Sequence, residues 1–191
     1  MLEQRLAVAV LAAGASRRFG DEDKLTAIHR GRMLGEYAVD AIPAHLFQER
    51  WVIAPNAQHP CAKFWEESGF QIALNARAGE GMSTSVALAA LLSMQRKCSG
   101  LLIALADMPL VPESHFTQLV KAAQDDDSIV ASARSGTPMP PALFGCDHFR
   151  ALSQLSGDRG AGAMLADAKI VPCPPVWLTD VDTKAGLRDL G

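Results

Sequence analysis

Residues 11–24 hold the chain's densest set of groups capable of chemistry, reading Leu-Ala-Ala-Gly-Ala-Ser-Arg-Arg-Phe-Gly-Asp-Glu-Asp-Lys. The small residues Ala12, Ala13, Gly14, Ala15 and Ser16 leave little side-chain bulk, so backbone can approach a ligand. Successive N–H groups in such a turn cradle an anion. Arg17, Arg18 and Lys24 add positive charge beside it. Backbone donors with an Arg and a Lys at a strand end suit a triphosphate. A tight strand-to-loop connection with incidental surface arginines would read similarly. A second candidate is Asp107, in Asp-Met-Pro behind the apolar run 101–106. A carboxylate at the carboxyl end of a buried parallel strand faces the crevice where open α/β sheets bind ligands. Mg²⁺ on a triphosphate takes one or two such carboxylates and otherwise keeps its waters. Asp-x-Pro also opens ordinary turns, and both readings stand at this level.

A third stretch, residues 75–86, carries Gly79 and Gly81 and then opens a helix. Ser83 is placed to cap that helix, whose apolar face would comprise Val86, Leu88, Ala89, Leu91 and Leu92. The loop with the Ser85 hydroxyl could receive a nucleotide base, or it is an ordinary entry loop. Asp158 or Arg159 could face a ligand from a further helix start, where Asp is commonly just a cap.

Positioning these groups calls for an α/β arrangement. Residues 6–11 and 101–106 are apolar runs of the kind buried on both sheet faces, the second the most hydrophobic and so central. Further strands are expected at 51–54, 70–74 and 129–131, with helices at 33–42, 61–68 and 113–123. Another helix should start in residues 155–165, and a short one should end at Leu190. Three prolines within 137–144 argue against a central strand there. Five or more strands alternating with helices, and no linker, predict one three-layer α/β/α domain over residues 1–191, Rossmann-like with a mainly parallel twisted sheet.

Composition sets the class of ligand. With 191 residues, 49% hydrophobic and 20% charged, the chain has the make-up of an ordinary globular protein. A net charge of −3 and the lack of a basic cluster with interleaved aromatics argue against nucleic acid as partner. Any nucleotide is then a small molecule. The four cysteines are far apart, without Cys-x-x-Cys spacing, which argues against structural zinc. With no secretory signal or membrane-length apolar run visible, the expectation is a reduced cytoplasmic protein with buried thiols. The P-loop and the three-glycine dinucleotide fingerprint are both absent, so an NAD-type oxidoreductase is disfavoured.

Residues 11–24 resemble the pyrophosphorylase signature of nucleotidyltransferases. The Gly79–Ser85 loop is similar to the base-binding loop of cytidylyltransferases, and Asp107-Met-Pro to that family's metal-binding Asp motif. Adding residues 157–163 and 180–187, the whole chain resembles the molybdenum-cofactor nucleotidyltransferase family, nearest its cytidylyltransferase branch. The resemblance implies transfer of CMP from CTP to the phosphate of molybdopterin or molybdenum cofactor, with release of pyrophosphate and transient contact with a molybdoenzyme. It implies Leu11, Ala12, Ala13, Gly14, Ser16, Arg18, Lys24, Gly79, Gly81, Ser85 and Asp107 at the nucleotide. Arg18, Lys24 and Asp107 would be catalytic, with Mg²⁺ on Asp107 and Asp182 (or Asp180). Where the family has Gly-His-Pro this chain has Met139-Pro140-Pro141, which leaves open a sugar- or alditol-phosphate acceptor. A non-catalytic nucleotide-binding accessory protein is the reading from another class.

Overall fold

The computed structural model describes residues 5–14, 19–20, 22–157 and 160–190. In chain order the elements are β1 (Leu6–Leu11), β2 (Ile28–His29), β3 (Arg32–Met33), α1 (Leu34–Ala41), β4 (Glu49–Ala54), α2 (Ala62–Glu67) and β5 (Gln71–Leu74). They continue with α3 (Met82–Gln95), β6 (Gly100–Leu105), α4 (Glu113–Ala122), β7 (Ile129–Arg134), β8 (Thr137–Gly145), α5 (Phe149–Ser153), β9 (Lys169–Ile170) and α6 (Lys184–Asp189). Seven strands form one sheet in the order β5-β4-β1-β6-β8-β7-β9; all but β8 run the same way.

Alternation along the central strands divides the core in two. Val8 and Val10 of β1, with Leu102 and Ala104 of β6, face α1, α2 and α4. Ala7, Ala9, Leu101 and Ile103 face α3 and α5. This is the three-layer α/β/α arrangement. Each fully buried Val or Leu contributes about 1.5–3 kcal/mol, so β1 and β6 anchor the sheet. Because these strands are parallel, their carboxyl ends deliver residues 12–14 and Asp107 to one edge.

Three local expectations are corrected. β8 lies inside the sheet, between β6 and β7, despite its prolines. β6 pairs only with the 142–145 half of β8, and a register shift opposite Ala131/Ser132 leaves Pro140 and Pro141 out of the ladder. The missing N–H donors of these two prolines therefore fall where no ladder bond is required. Among the described residues of 155–165 there is a 3-10 turn, Gly162–Leu165, rather than a longer helix. Of the cysteines, Cys61 and Cys98 are buried but Cys146 and Cys173 only partly; all four are free thiols. No helix of the described residues is long and apolar enough to cross a membrane.

A buried histidine holds the irregular part of β8. Ser132 Oγ donates to the Pro141 carbonyl at 2.9 Å, so His115 Nε2 donates to Ser132 Oγ at 2.8 Å. Nδ1 is buried with no partner among the described residues. Burial lowers the His115 pKa below its ordinary value of 6.5. The neutral ring is therefore favoured in the folded state. Below pH about 6.5 the unfolded chain takes up a proton that the folded one refuses, so stability falls with falling pH until the lowered folded pKa is reached. Urea unfolding at pH 7 and 5.5 should show a loss in wild type that shrinks in His115→Gln; an equal loss in both would assign it to other groups.

Candidate active site

A cleft of about 410 Å³ opens at the carboxyl edge of β1 and β6, within the roughly 300–1,000 Å³ usual for small-molecule sites. One wall is the end of β1 and the turn after it, Leu11 to Gly14. A Cβ built on Gly14 would meet nothing within 4 Å, so the glycine leaves open the space beside the backbone N–H groups. The opposite wall is the loop into α3, with Gly79, Gly81 and Ser85. Gly81 has φ +117°, a conformation that L side chains rarely adopt. The sharp entry turn therefore depends on glycine.

The floor is ionic. Lys24 begins a 3-10 turn, Lys24–Thr26. Its Nζ donates to Asp107 Oδ2 at 2.5 Å and to Asp182 Oδ1 at 2.9 Å. Burial alone would lower the Lys24 pKa, but the two carboxylates outweigh it and hold the ammonium above its ordinary value. Asp107 is held the other way. Burial pushes its carboxyl upward, Lys24 pulls it back, and nearby Asp180 adds repulsion; the net shift is up. Asp107 Oδ1 is buried with no hydrogen-bond partner among the described residues. Asp107 lines the cleft, and a carboxylate with an orphaned oxygen has the chemistry of a cation ligand.

The carboxyl-terminal segment completes this floor. The Val181 N–H donates to the Asp107 carbonyl at 3.0 Å. Val181, fully buried, packs with Phe19 and Leu34, placing Asp180 and Asp182 on the cleft to either side.

The profile of the MobA-like NTP transferase domain matches residues 8–171. The chain belongs to that family. It is 30% identical over 172 residues to the purine catabolism protein PucB of Bacillus subtilis, covering 84% of this chain and 80% of that one. Among solved structures it superposes on Rv0371c of Mycobacterium tuberculosis with TM-score 0.78 at 20% identity, covering 100% and 98% of the two chains. A manganese complex of the same mycobacterial protein superposes with TM-score 0.70 at 19% identity, covering 97% of each. A nucleotidyl transferase from Methanothermobacter thermautotroptrophicus gives TM-score 0.75 at 20% identity, over 97% and 95%. The fold is that of these proteins, and as a MobA-like transferase domain the chain is a nucleotidyltransferase acting on small molecules.

Within this family frame, Leu11, Ala12, Ala13, Gly14, Lys24, Gly79, Gly81, Ser85, Asp107 and Asp182 are brought to one cleft, and Asp180 with them. Ser16, Arg17, Arg18, Asp158 and Arg159 lie outside the described residues. Ser83 is not the helix cap. Gly81 occupies that position without a side-chain bond, and Ser83 lies inside α3 with its Oγ buried and unpartnered among the described residues. The buried face of α3 is Val86, Ala89 and Ala90, whereas Leu91 is exposed.

Asn75 is a functional neighbour that the sequence reading passed over. Its Oδ1 accepts the Arg77 N–H, which fixes the amide's orientation. Nδ2 then donates to Thr84 Oγ1 and Ser85 Oγ, each at 2.9 Å. With Ser85 Oγ accepting from Asn75, its own proton is available as a donor. An Asn directly behind a strand was the only local signal. Asn75→Ala should destabilise the protein by about 1–3 kcal/mol, because it leaves buried hydroxyls and an N–H short of partners. Equilibrium urea unfolding checks this; a change below ~0.5 kcal/mol would mean the network carries no weight.

Proposed function

We propose that this domain, spanning residues 1–191, transfers CMP from CTP to the phosphate of a molybdopterin-type acceptor and releases pyrophosphate. The observation that carries the reading is the union of glycine-edged phosphate turn, Lys24 and orphaned Asp107 oxygen in one cleft. An acceptor phosphate oxygen attacks the α-phosphorus of CTP. The bond from that phosphorus to the bridging oxygen breaks, and pyrophosphate leaves with the electron pair. The acceptor is already anionic, so no general base is needed. Catalysis is alignment plus charge neutralisation.

The residues divide the work. The backbone of residues 12–14 cradles phosphate oxygens. Lys24 exchanges its carboxylate contacts for a phosphate oxygen and meets the charge growing on the leaving pyrophosphate. Arg18 is assigned to the triphosphate on its place in the motif. Asp107, with Asp182 or Asp180, would hold Mg²⁺. When bound, Mg²⁺ supplies neutralisation and orientation of the triphosphate. The manganese complex of the mycobacterial structural neighbour supports a divalent ion in this fold.

Base preference follows from groups on both walls of the cleft. A methyl at Ala13, where guanylyl-transferring relatives are expected to have glycine, fills space beside the base and favours a pyrimidine. One methyl is worth about 1–3 kcal/mol, so GTP should be a poor substrate rather than an excluded one. The Ser85 hydroxyl, oriented by Asn75, donates to an acceptor on the base edge. Ala13→Gly should therefore raise kcat/KM for GTP relative to CTP by about tenfold, read in paired single-turnover assays. An unchanged ratio would remove Ala13 from base selection. A transient contact with a molybdoenzyme is part of this proposal.

A further inference from the structure

Lys24 is held from behind by a pair outside the cleft walls, a buried histidine and a half-exposed aspartate. Asp23 caps the 3-10 turn Lys24–Thr26, its Oδ1 accepting the Leu25 N–H at 3.0 Å. Its other oxygen, Oδ2, lies 2.9 Å from His59 Nε2. His59 comes from the connection between β4 and α2, 36 residues along the chain. His59 Nδ1 accepts the Cys61 N–H at 3.1 Å, which places the ring proton on Nε2, where it donates to Asp23. The ring stacks on Trp65, centroids 4.7 Å apart and 19° from parallel. Trp65 is itself pinned, its Nε1 donating to the Gly35 carbonyl at 2.8 Å.

The same group grips the turn at a second point. The Cys61 thiol donates to the Leu25 carbonyl at 3.5 Å, and burial pushes its pKa up to about 12, so it stays a thiol donor. Gly35 packs so closely that an added Cβ would stand 3.1 Å from both Cys61 Sγ and Leu25 Cβ. The His59 side chain is only 2% exposed, so it cannot reach a substrate or exchange protons with one. Its fixed tautomer and its stacking on Trp65 aim the Nε2 proton at Asp23, the residue that precedes Lys24.

We infer that His59 is a positioning residue for the phosphate-binding lysine, acting through Asp23 to fix the turn from which Lys24 reaches the cleft. The inference rests on the assignment of Lys24 to the triphosphate. A rigid turn matters there because Nζ must serve two carboxylates in the free protein and a phosphate oxygen in the complex. Displacing a charge by about 1 Å in such a site costs up to ~10²-fold in rate.

The test uses the full chain and CTP with Mg²⁺, without acceptor, titrated by calorimetry so that the readout is binding rather than turnover. His59→Phe keeps the stacking but loses the donor to Asp23 and the acceptor for the Cys61 N–H, and should weaken CTP binding about tenfold. His59→Gln places an amide N–H near the position of Nε2–H and should recover to within about threefold of wild type. In a Lys24→Ala background His59→Phe should produce no further loss, since the side chain it positions is gone. If His59→Phe does not fold, Asp23→Asn carries the same expectation. Asn offers one acceptor where the Leu25 N–H and the His59 N–H both need one, and Asp23 is 39% exposed, so folding tolerates the change. Wild-type binding by His59→Phe or by Asp23→Asn alongside a weakened Lys24→Ala would overturn the inference. So would an equal loss with and without Lys24, which is the mark of general loosening. Wild-type binding by Lys24→Ala itself would remove the triphosphate assignment and this inference with it.

Discussion

Asp107→Asn should lower turnover by about 10²–10³-fold while leaving the protein as stable as wild type or more so. The two halves of that expectation come from the same burial. In the free protein the carboxyl group sits at a buried strand end, burial raises its pKa, and Oδ1 has no partner among the described residues. An acid whose folded pKa lies above its unfolded one subtracts stability at every pH above the unfolded value. Asn is nearly isosteric and removes that cost, while Lys24 loses its carboxylate contact with position 107 and keeps the one with Asp182. What Asn cannot do is ligate a cation with an anionic oxygen. Steady-state kinetics across a Mg²⁺ titration, with thermal melts alongside, separate the alternatives. A turn-capping aspartate would give the reverse: normal kinetics and a loss of about 0.5–2 kcal/mol.

Lys24→Ala should be the more general lesion, reducing kcat/KM for CTP by about 10²-fold or more through both terms. KM should rise because the ammonium meets the ground-state triphosphate. The kcat should fall because charge builds on the departing pyrophosphate. The free protein should also suffer, since Asp107 and Asp182 are left facing each other without the cation between them. Removing one partner of a partly buried pair strands the other charge. A rise in KM at constant kcat would restrict Lys24 to ground-state binding and take it out of the chemistry.

Much of this site could be read from single residues because parallel strands end at one edge. Once 6–11 and 101–106 are buried strands, Gly14 and Asp107 must share a crevice, and Lys24 needs only a short excursion to join them. The C-terminal carboxylates were harder to place. What fixes them is the Val181 N–H bond to the Asp107 carbonyl, with Val181 packed on Phe19 and Leu34, contacts that no local pattern announces. Ser83 misled because it has the residue type of a cap two positions after the actual one, Gly81. The prolines of β8 misled because the argument against them assumes a strand paired along its whole length, and β8 is paired to β6 over only part of it. Asp23 and His59 stayed silent for the plainest reason: their bond joins positions far apart in sequence, and each residue alone is ordinary.

The most direct measurement is pyrophosphate release by the purified protein with Mg²⁺, molybdopterin and each of CTP, GTP, ATP and UTP in turn. The expected result is acceptor-dependent release with kcat/KM highest for CTP, lower by roughly tenfold for GTP and weaker still for ATP and UTP. Preference for GTP, or no acceptor-dependent pyrophosphate from any of the four, would contradict cytidylyl transfer to molybdopterin.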